Sequence, residues 1–189
     1  MSKKRGTLFV LSGPSGVGKG TVCKVLDKDA LNMEISVSMT TRKPRVNEIP
    51  GVSYHFVSVE EFNKTIEEDG FMEYAGFSDN AYGTPKAPVL KWLEEGKNVL
   101  LEIETKGARQ VMDKYPEACT IFLLPPSREE LENRLRGRGT EDEASIQKRL
   151  ARSLDEIPLK TLYKYNVING ELEATAKEIS DIIKAEGNV

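Results

Sequence analysis

The chain has 189 residues, enough for one domain at roughly 150 residues per domain, with room for small additions. Apolar residues make up 39% and charged residues 30%, which excludes a disordered chain and suits a soluble globular one. Lys and Arg number 27 against 30 Asp and Glu; the net charge of −3 lacks the basic excess of a general nucleic-acid or membrane-surface binder.

The first buried strand is expected at 7–12 (TLFVLS), and its apolar run is too short for a signal-peptide core or a membrane span. Cys23 and Cys119 lie far apart, so a disulfide framework is excluded and no zinc spacing exists. The cytoplasm is the expected compartment. After the strand comes Gly13-Pro14-Ser15-Gly16-Val17-Gly18-Lys19-Gly20-Thr21, a G-x-x-x-x-G-K loop opening a helix. A further strand is read at 35–37. Residues 38–84 then break the rhythm: a loop over 41–51, a strand at 54–57, a helix from Ser58, and a short strand near 71–74. This reads as a small α+β insertion.

Thr84-Pro85 reads as an N-cap with proline at the first helical position, and Gly96 closes that helix. Strands follow at 99–103, 120–124 and 166–168. Ser127 to Glu130 and Thr140 to Glu143 both fit the capping box. Residues 128–152 are dense in arginine and acid and poor in apolar residues, which predicts a solvated helical segment. The last helix carries Leu172, Ala176, Ile179 and Ile183 on one face and ends near Gly187. The alternation predicts an α/β fold, a P-loop parallel sheet flanked by helices.

The loop carries the clearest chemistry. Its glycines permit positive φ and close backbone approach, so successive N–H groups can ring a phosphate at a helix N-terminus. Lys19 adds a point charge for the β- and γ-phosphates of a nucleoside triphosphate. Gly20 stands where the strict pattern has Ser or Thr, and Thr21 follows. Whether Thr21 reaches a magnesium ion directly or through water stays open.

Further motifs accumulate beyond the loop. They are S-x-T-T-R-x-P-R over 38–45, Gly51-Val52-Ser53-Tyr54, Phe71-Met72-Glu73, Tyr82-Gly83-Thr84, and Leu101-Glu102-Ile103-Glu104 followed by Gly107-Ala108. Then come Pro125-Pro126-Ser127, Arg134-Leu135, Gly137-Arg138-Gly139-Thr140 and Val167-Ile168-Asn169. Together they cover nearly the whole chain, which resembles the guanylate kinases of the nucleoside-monophosphate kinase group. The resemblance implies ATP + GMP ⇌ ADP + GDP, with Mg2+ accompanying ATP. It implies a core (1–37, 85–126 and 155–189), a GMP-binding insertion (38–84) and a helical lid (127–154).

The resemblance also implies site roles. Arg42, Arg45, Tyr54 and Tyr82 would hold the GMP phosphate; Ser38, Glu73 and Thr84 would form the base and ribose pocket. Arg134, Arg138 and Arg149 match the lid arginines, and Asn169 sits where the family approaches adenine. The chemistry agrees: two guanidinium forks and a phenol suit a dianionic monophosphate. A carboxylate at Glu73 can accept from guanine N1 and N2 together, although spacing alone would read it as a surface acid. Glu102 and Glu104 lie two apart on an expected strand, so both point one way, toward hydrated magnesium or a substrate group. Many relatives carry aspartates there, and a structural acid pair is the alternative.

His55, the single histidine, has no persuasive nucleophile to serve. Other classes remain as contrasts: a P-loop kinase for a different small acceptor, or a domain of this fold that binds proteins after losing catalysis. Acids interleave with the arginines of 128–152, so no nucleic-acid partner is expected, and no membrane. A homo-oligomer is left open.

Overall fold

The computed structural model describes residues 4–77, 79–137 and 142–189. In chain order the elements are β1 (Leu8–Ser12), α1 (Lys19–Val25), β2 (Met33–Ile35), β3 (Met39–Thr40), β4 (His55–Phe56), α2 (Val59–Glu67), β5 (Phe71–Phe77) and β6 (Asn80–Pro85). There follow α3 (Lys86–Glu94), β7 (Asn98–Glu102), α4 (Thr105–Lys114), β8 (Cys119–Leu124), α5 (Arg128–Arg136), α6 (Glu143–Glu156), a 3-10 turn (Ile157–Leu162), β9 (Tyr165–Ile168) and α7 (Leu172–Glu186).

Among the described residues the main sheet has five strands in the order β2-β7-β1-β8-β9, each pair parallel. Its strands are apolar runs because both faces are covered by helices. Successive side chains of β1 alternate between two cores. Phe9 and Leu11 join Val22, Leu31, Ile179 and Ile183 on the α1 and α7 side. Leu8 and Val10 join Val89, Leu93, Ala108 and Val111 on the α3 and α4 side. The parallel order sets the glycine loop at the C-terminal end of the central strand, where open α/β sheets bind ligands.

The insertion builds a second sheet, ordered β4-β3-β6-β5. Two of its strands, β3 and β6, have no signal in the sequence. The first has two residues, and the second falls in the polar, glycine-containing stretch before Pro85. Met72 of β5 reaches into the α3–α4 core and ties this sheet to the main one.

Several local expectations need correction. The strand read at 35–37 lies at Met33–Ile35. Thr84 is not an N-cap: it belongs to β6, Pro85 is the residue before α3, and the Thr84 hydroxyl serves Glu73 instead. Gly96 does close that helix region, at φ 84°. Ser127 caps α5, accepting from Glu130 N at 3.1 Å. The following helix is capped by Asp142, which accepts from Ser145 N at 2.7 Å; Thr140 lies outside the described residues. The strand carrying Glu102 ends there, so Glu104 sits at the N-cap of α4 rather than on the strand.

The arginine-rich segment is not merely solvated. Leu131 and Leu135 of α5 pack on Ile146 and Leu150 of α6 as a small separate core. Each such side chain contributes on the order of 1.5–3 kcal/mol by leaving water. Four apolar residues at helical spacing suffice for a paired hairpin, and the surrounding charges hide them in a composition count. Arg136 joins the two helices further, through Glu132 at 2.7 Å and Glu143 at 2.8 Å.

Candidate active site

Gly13 has φ 147°, and a Cβ there would collide with the Leu123 carbonyl oxygen. Gly18, just before α1, has φ 99°, and a Cβ would lie 2.7 Å from Asn169 Nδ2. Both positions therefore need glycine for conformation and for space. Lys19 is nearly buried, and its Nζ donates to the carbonyls of Gly13 at 2.8 Å and Pro14 at 3.4 Å. The ammonium is thus folded back over the loop, with Glu104 Oε1 3.9 Å away.

The loop is braced from outside. Asn169 Nδ2 donates to Val17 O at 2.8 Å, and Arg134 Nη1 donates to the same oxygen at 3.0 Å. Arg134 Nη2 also donates to Asn169 O at 2.9 Å, while its Nε holds Glu130 at 2.8 Å. Arg149 Nη2 donates to Ser15 Oγ at 3.0 Å, and the Ser153 hydroxyl donates to Ser15 O at 3.0 Å. Ser153 has no signal in the sequence; a small polar residue in a charged helix is unremarkable until the fold sets it against the loop.

One cavity of about 580 Å³ joins Ser15 and Lys19 to Ser38, Arg42, Arg45, Tyr54, Glu73 and Tyr82, with Glu102, Glu104 and Arg149 on its remaining walls. The tertiary structure therefore brings together expected residues from four separated stretches of chain. Lys106, Lys148 and Arg152 also line it and have no counterpart among the expected residues. Thr84 is fully buried behind Glu73. Arg134 and Asn169 are not on the cavity wall and act on the loop from behind. Thr21 is exposed on the first turn of α1, and Arg138 lies outside the described residues. His55 is exposed on β4.

The arginine-bearing part of the wall is organised by a residue with no signature in the sequence. Glu48 accepts from Arg42 Nη1 at 3.0 Å and Nη2 at 2.8 Å, and from the Arg45 backbone N at 2.7 Å. The Arg42 guanidinium holds the Glu48 carboxyl below its ordinary range, and Glu48 in turn raises Arg42. Arg42 also lies over Tyr54, 5.4 Å from the ring centre, and its Nε is buried without a partner among the described residues. Burial raises the Tyr54 phenol.

Glu73 is 5% exposed and accepts from the Thr84 hydroxyl at 2.7 Å. Burial raises its pKa, and the hydrogen bonds from Thr84 work against that rise. Glu102 is raised chiefly by burial, with Lys19 lowering it and Glu104 raising it. Its Oε1 would lie 3.3 Å from a Cβ at Gly20, so glycine there leaves open space beside the carboxylate. Glu104 Oε2 is buried without a donor among the described residues. A buried carboxylate oxygen without a donor on Glu104, with Glu102 close by at the phosphate loop, is hard-oxygen chemistry that fits a magnesium ion.

A glycine loop closing on a buried lysine, at the end of the central strand of an all-parallel sheet, defines a P-loop phosphate-binding protein. A family model described as guanylate kinase matches residues 5–186. Guanylate kinases of Clostridioides difficile (strain 630) and Caldanaerobacter subterraneus subsp. tengcongensis are 52% and 50% identical to it. These matches cover 100% and 97% of this chain, and 92% and 89% of those proteins. The crystal structure of guanylate kinase from Anaplasma phagocytophilum superposes with a TM-score of 0.80 at 34% identity, over 98% of this chain and 88% of that one. The chain belongs to the guanylate kinase family.

Proposed function

We propose that the protein transfers the terminal phosphoryl group of ATP to the phosphate of GMP, giving ADP and GDP. One observation supports this above the rest: a single cavity is lined by the lysine of the glycine loop, by an arginine–tyrosine cluster and by a buried carboxylate. In this assignment the loop of Gly13 to Thr21 cradles the ATP phosphates, and Asn169 and Arg134 keep that loop in shape. Lys19 exchanges its carbonyl partners for phosphate oxygens. Arg42, Arg45, Tyr54 and Tyr82 hold the GMP phosphate, while Glu73, seated on Thr84, and Ser38 serve the base and ribose.

Glu102 and Glu104, both on the cavity wall, would hold Mg2+. The bound ion supplies positive charge to the phosphate oxygens. The acceptor is already a phosphate oxygen, so no general base is required of the chain. Catalysis is positioning and charge compensation, with Lys19, Arg42, Arg138 and Arg149 as the cations, while Arg134 acts by bracing the loop. Residues 38–84 and 127–154 form the GMP-binding and lid parts around the core, and both swing inward to exclude water when two nucleotides are bound. The cytoplasm is the working compartment, in keeping with two free cysteines and soluble nucleotide substrates.

The test is a coupled assay of ADP formation from ATP with GMP, AMP, CMP or UMP as acceptor. Rapid turnover is expected with GMP alone. Comparable turnover with AMP, or none with GMP, would overturn the assignment.

A further inference from the structure

The buried carboxylate of Glu73 belongs to the insertion, yet much of what holds it in place belongs to the core. Between Phe71 and Glu73 the pairing of β5 with β6 shifts register, so Met72 is an extra residue in its strand. Such bulges re-aim the next side chain. Met72 is anchored in the α3–α4 core, and Glu73 resumes pairing opposite Thr84. The carboxylate then comes to rest on the first turn of α4. A Cβ at Gly107 would lie 2.7 Å from Glu73 Cδ and closer still to its Oε2. No side chain fits there without moving the carboxylate.

One turn further along α4, the Gln110 side chain clips the backbone beside Glu73. Its Nε2 donates to Tyr74 O at 2.7 Å, and its Oε1 accepts from Tyr74 N at 3.2 Å. A single amide thus satisfies both backbone groups of one residue, as a neighbouring strand would. Gln110 lies off the cavity wall.

We infer that Gly107 and Gln110 are positioning residues for base selection: α4 sets where the Glu73 carboxylate stands, by leaving space at Gly107 and by gripping Tyr74 through Gln110. The inference rests on the assignment of Glu73 to guanine. Guanine presents two donors to that carboxylate, whereas adenine presents an acceptor at N1. A displaced carboxylate therefore loses guanine first, while the ATP end of the cavity is untouched.

The experiment measures kcat and KM of the full chain with ATP and either GMP or AMP. Gly107→Ala pushes Glu73 back by more than about 1 Å to restore van der Waals contact. The KM for GMP is expected to rise about tenfold or more, with a matching fall in the GMP-over-AMP ratio of kcat/KM and no change in the KM for ATP. In a Glu73→Ala background the added methyl meets no carboxylate, so Gly107→Ala has no further effect on GMP. Gln110→Ala, which removes no core side chain, gives a smaller rise confined to GMP.

Three results would overturn the proposal: an unchanged GMP KM in folded Gly107→Ala, an equal further loss in the Glu73→Ala background, or an unchanged GMP KM in Gln110→Ala. If Glu73→Ala itself leaves the base ratio unchanged, the assignment of Glu73 fails and takes the proposal with it. An altered ratio there with none in Gly107→Ala overturns the proposal alone.

Discussion

Two parts of the cavity wall are built from different material. The glycine loop is a backbone device: positive φ at Gly13 and Gly18, a lysine folded over its own carbonyls, and outside braces on Val17 O and Ser15 O. The other part is made of side chains: Arg42 gripped by Glu48, Tyr54 beneath it, and Glu73 seated on Thr84. A backbone device depends on conformations that few residues can adopt, so its failure is a failure of folding. A side-chain wall can lose one member and keep its shape, so its failure stays local.

Substitutions can break or sharpen that contrast. The largest effect is expected from Lys19→Met, which removes the loop's one working side chain and leaves its backbone intact. Turnover should fall by about 10²–10³ or more, as for other lost transition-state donors, while the fold and GMP binding persist. Near-normal turnover in the purified variant would remove the loop from catalysis. Gly13→Ala comes next and acts on the backbone. An Ala at φ 147° facing the Leu123 carbonyl should lower stability by about 3 kcal/mol, read as a drop in denaturation midpoint. An unchanged midpoint would mean that the loop tolerates side chains and that the contrast is wrong.

The smallest effect is expected from Arg45→Ala on the side-chain wall. A charged hydrogen bond contributes about 1.5–3 kcal/mol, so GMP use should weaken roughly ten- to a hundred-fold. Stability and the KM for ATP should stay as they are. Equal weakening toward both nucleotides would show that the wall is coupled to the loop and that its members are not separable.

The same contrast governs how much of the site is legible in the amino-acid sequence. The loop is legible residue by residue because a glycine pattern after an apolar strand has few other uses. Arg42, Arg45, Tyr54 and Glu73 are legible only through the family resemblance; taken singly, each reads as a surface residue. Glu48 escapes because one acid in a polar loop carries no signal until it is seen across Arg42. Arg134 is expected in the lid and does lie on α5, but its guanidinium holds the back of the loop. Thr-Pro ahead of α3 is a strong local capping signal, and it misleads because a buried carboxylate claims the hydroxyl.

By itself the sequence determined the parallel α/β core and the phosphate loop. Those features arise from local rules: apolar period, glycine conformation and capping chemistry act within a few residues. Only the tertiary structure decided which groups face each other: Glu48 on Arg42, Ser153 and Arg149 on Ser15, Arg134 on Val17, and Glu73 over Gly107. Such pairings join residues up to well over a hundred positions apart, as Ser153 and Ser15 are. They depend on the angles at which helices and sheets pack, and no pattern in the linear chain records those angles.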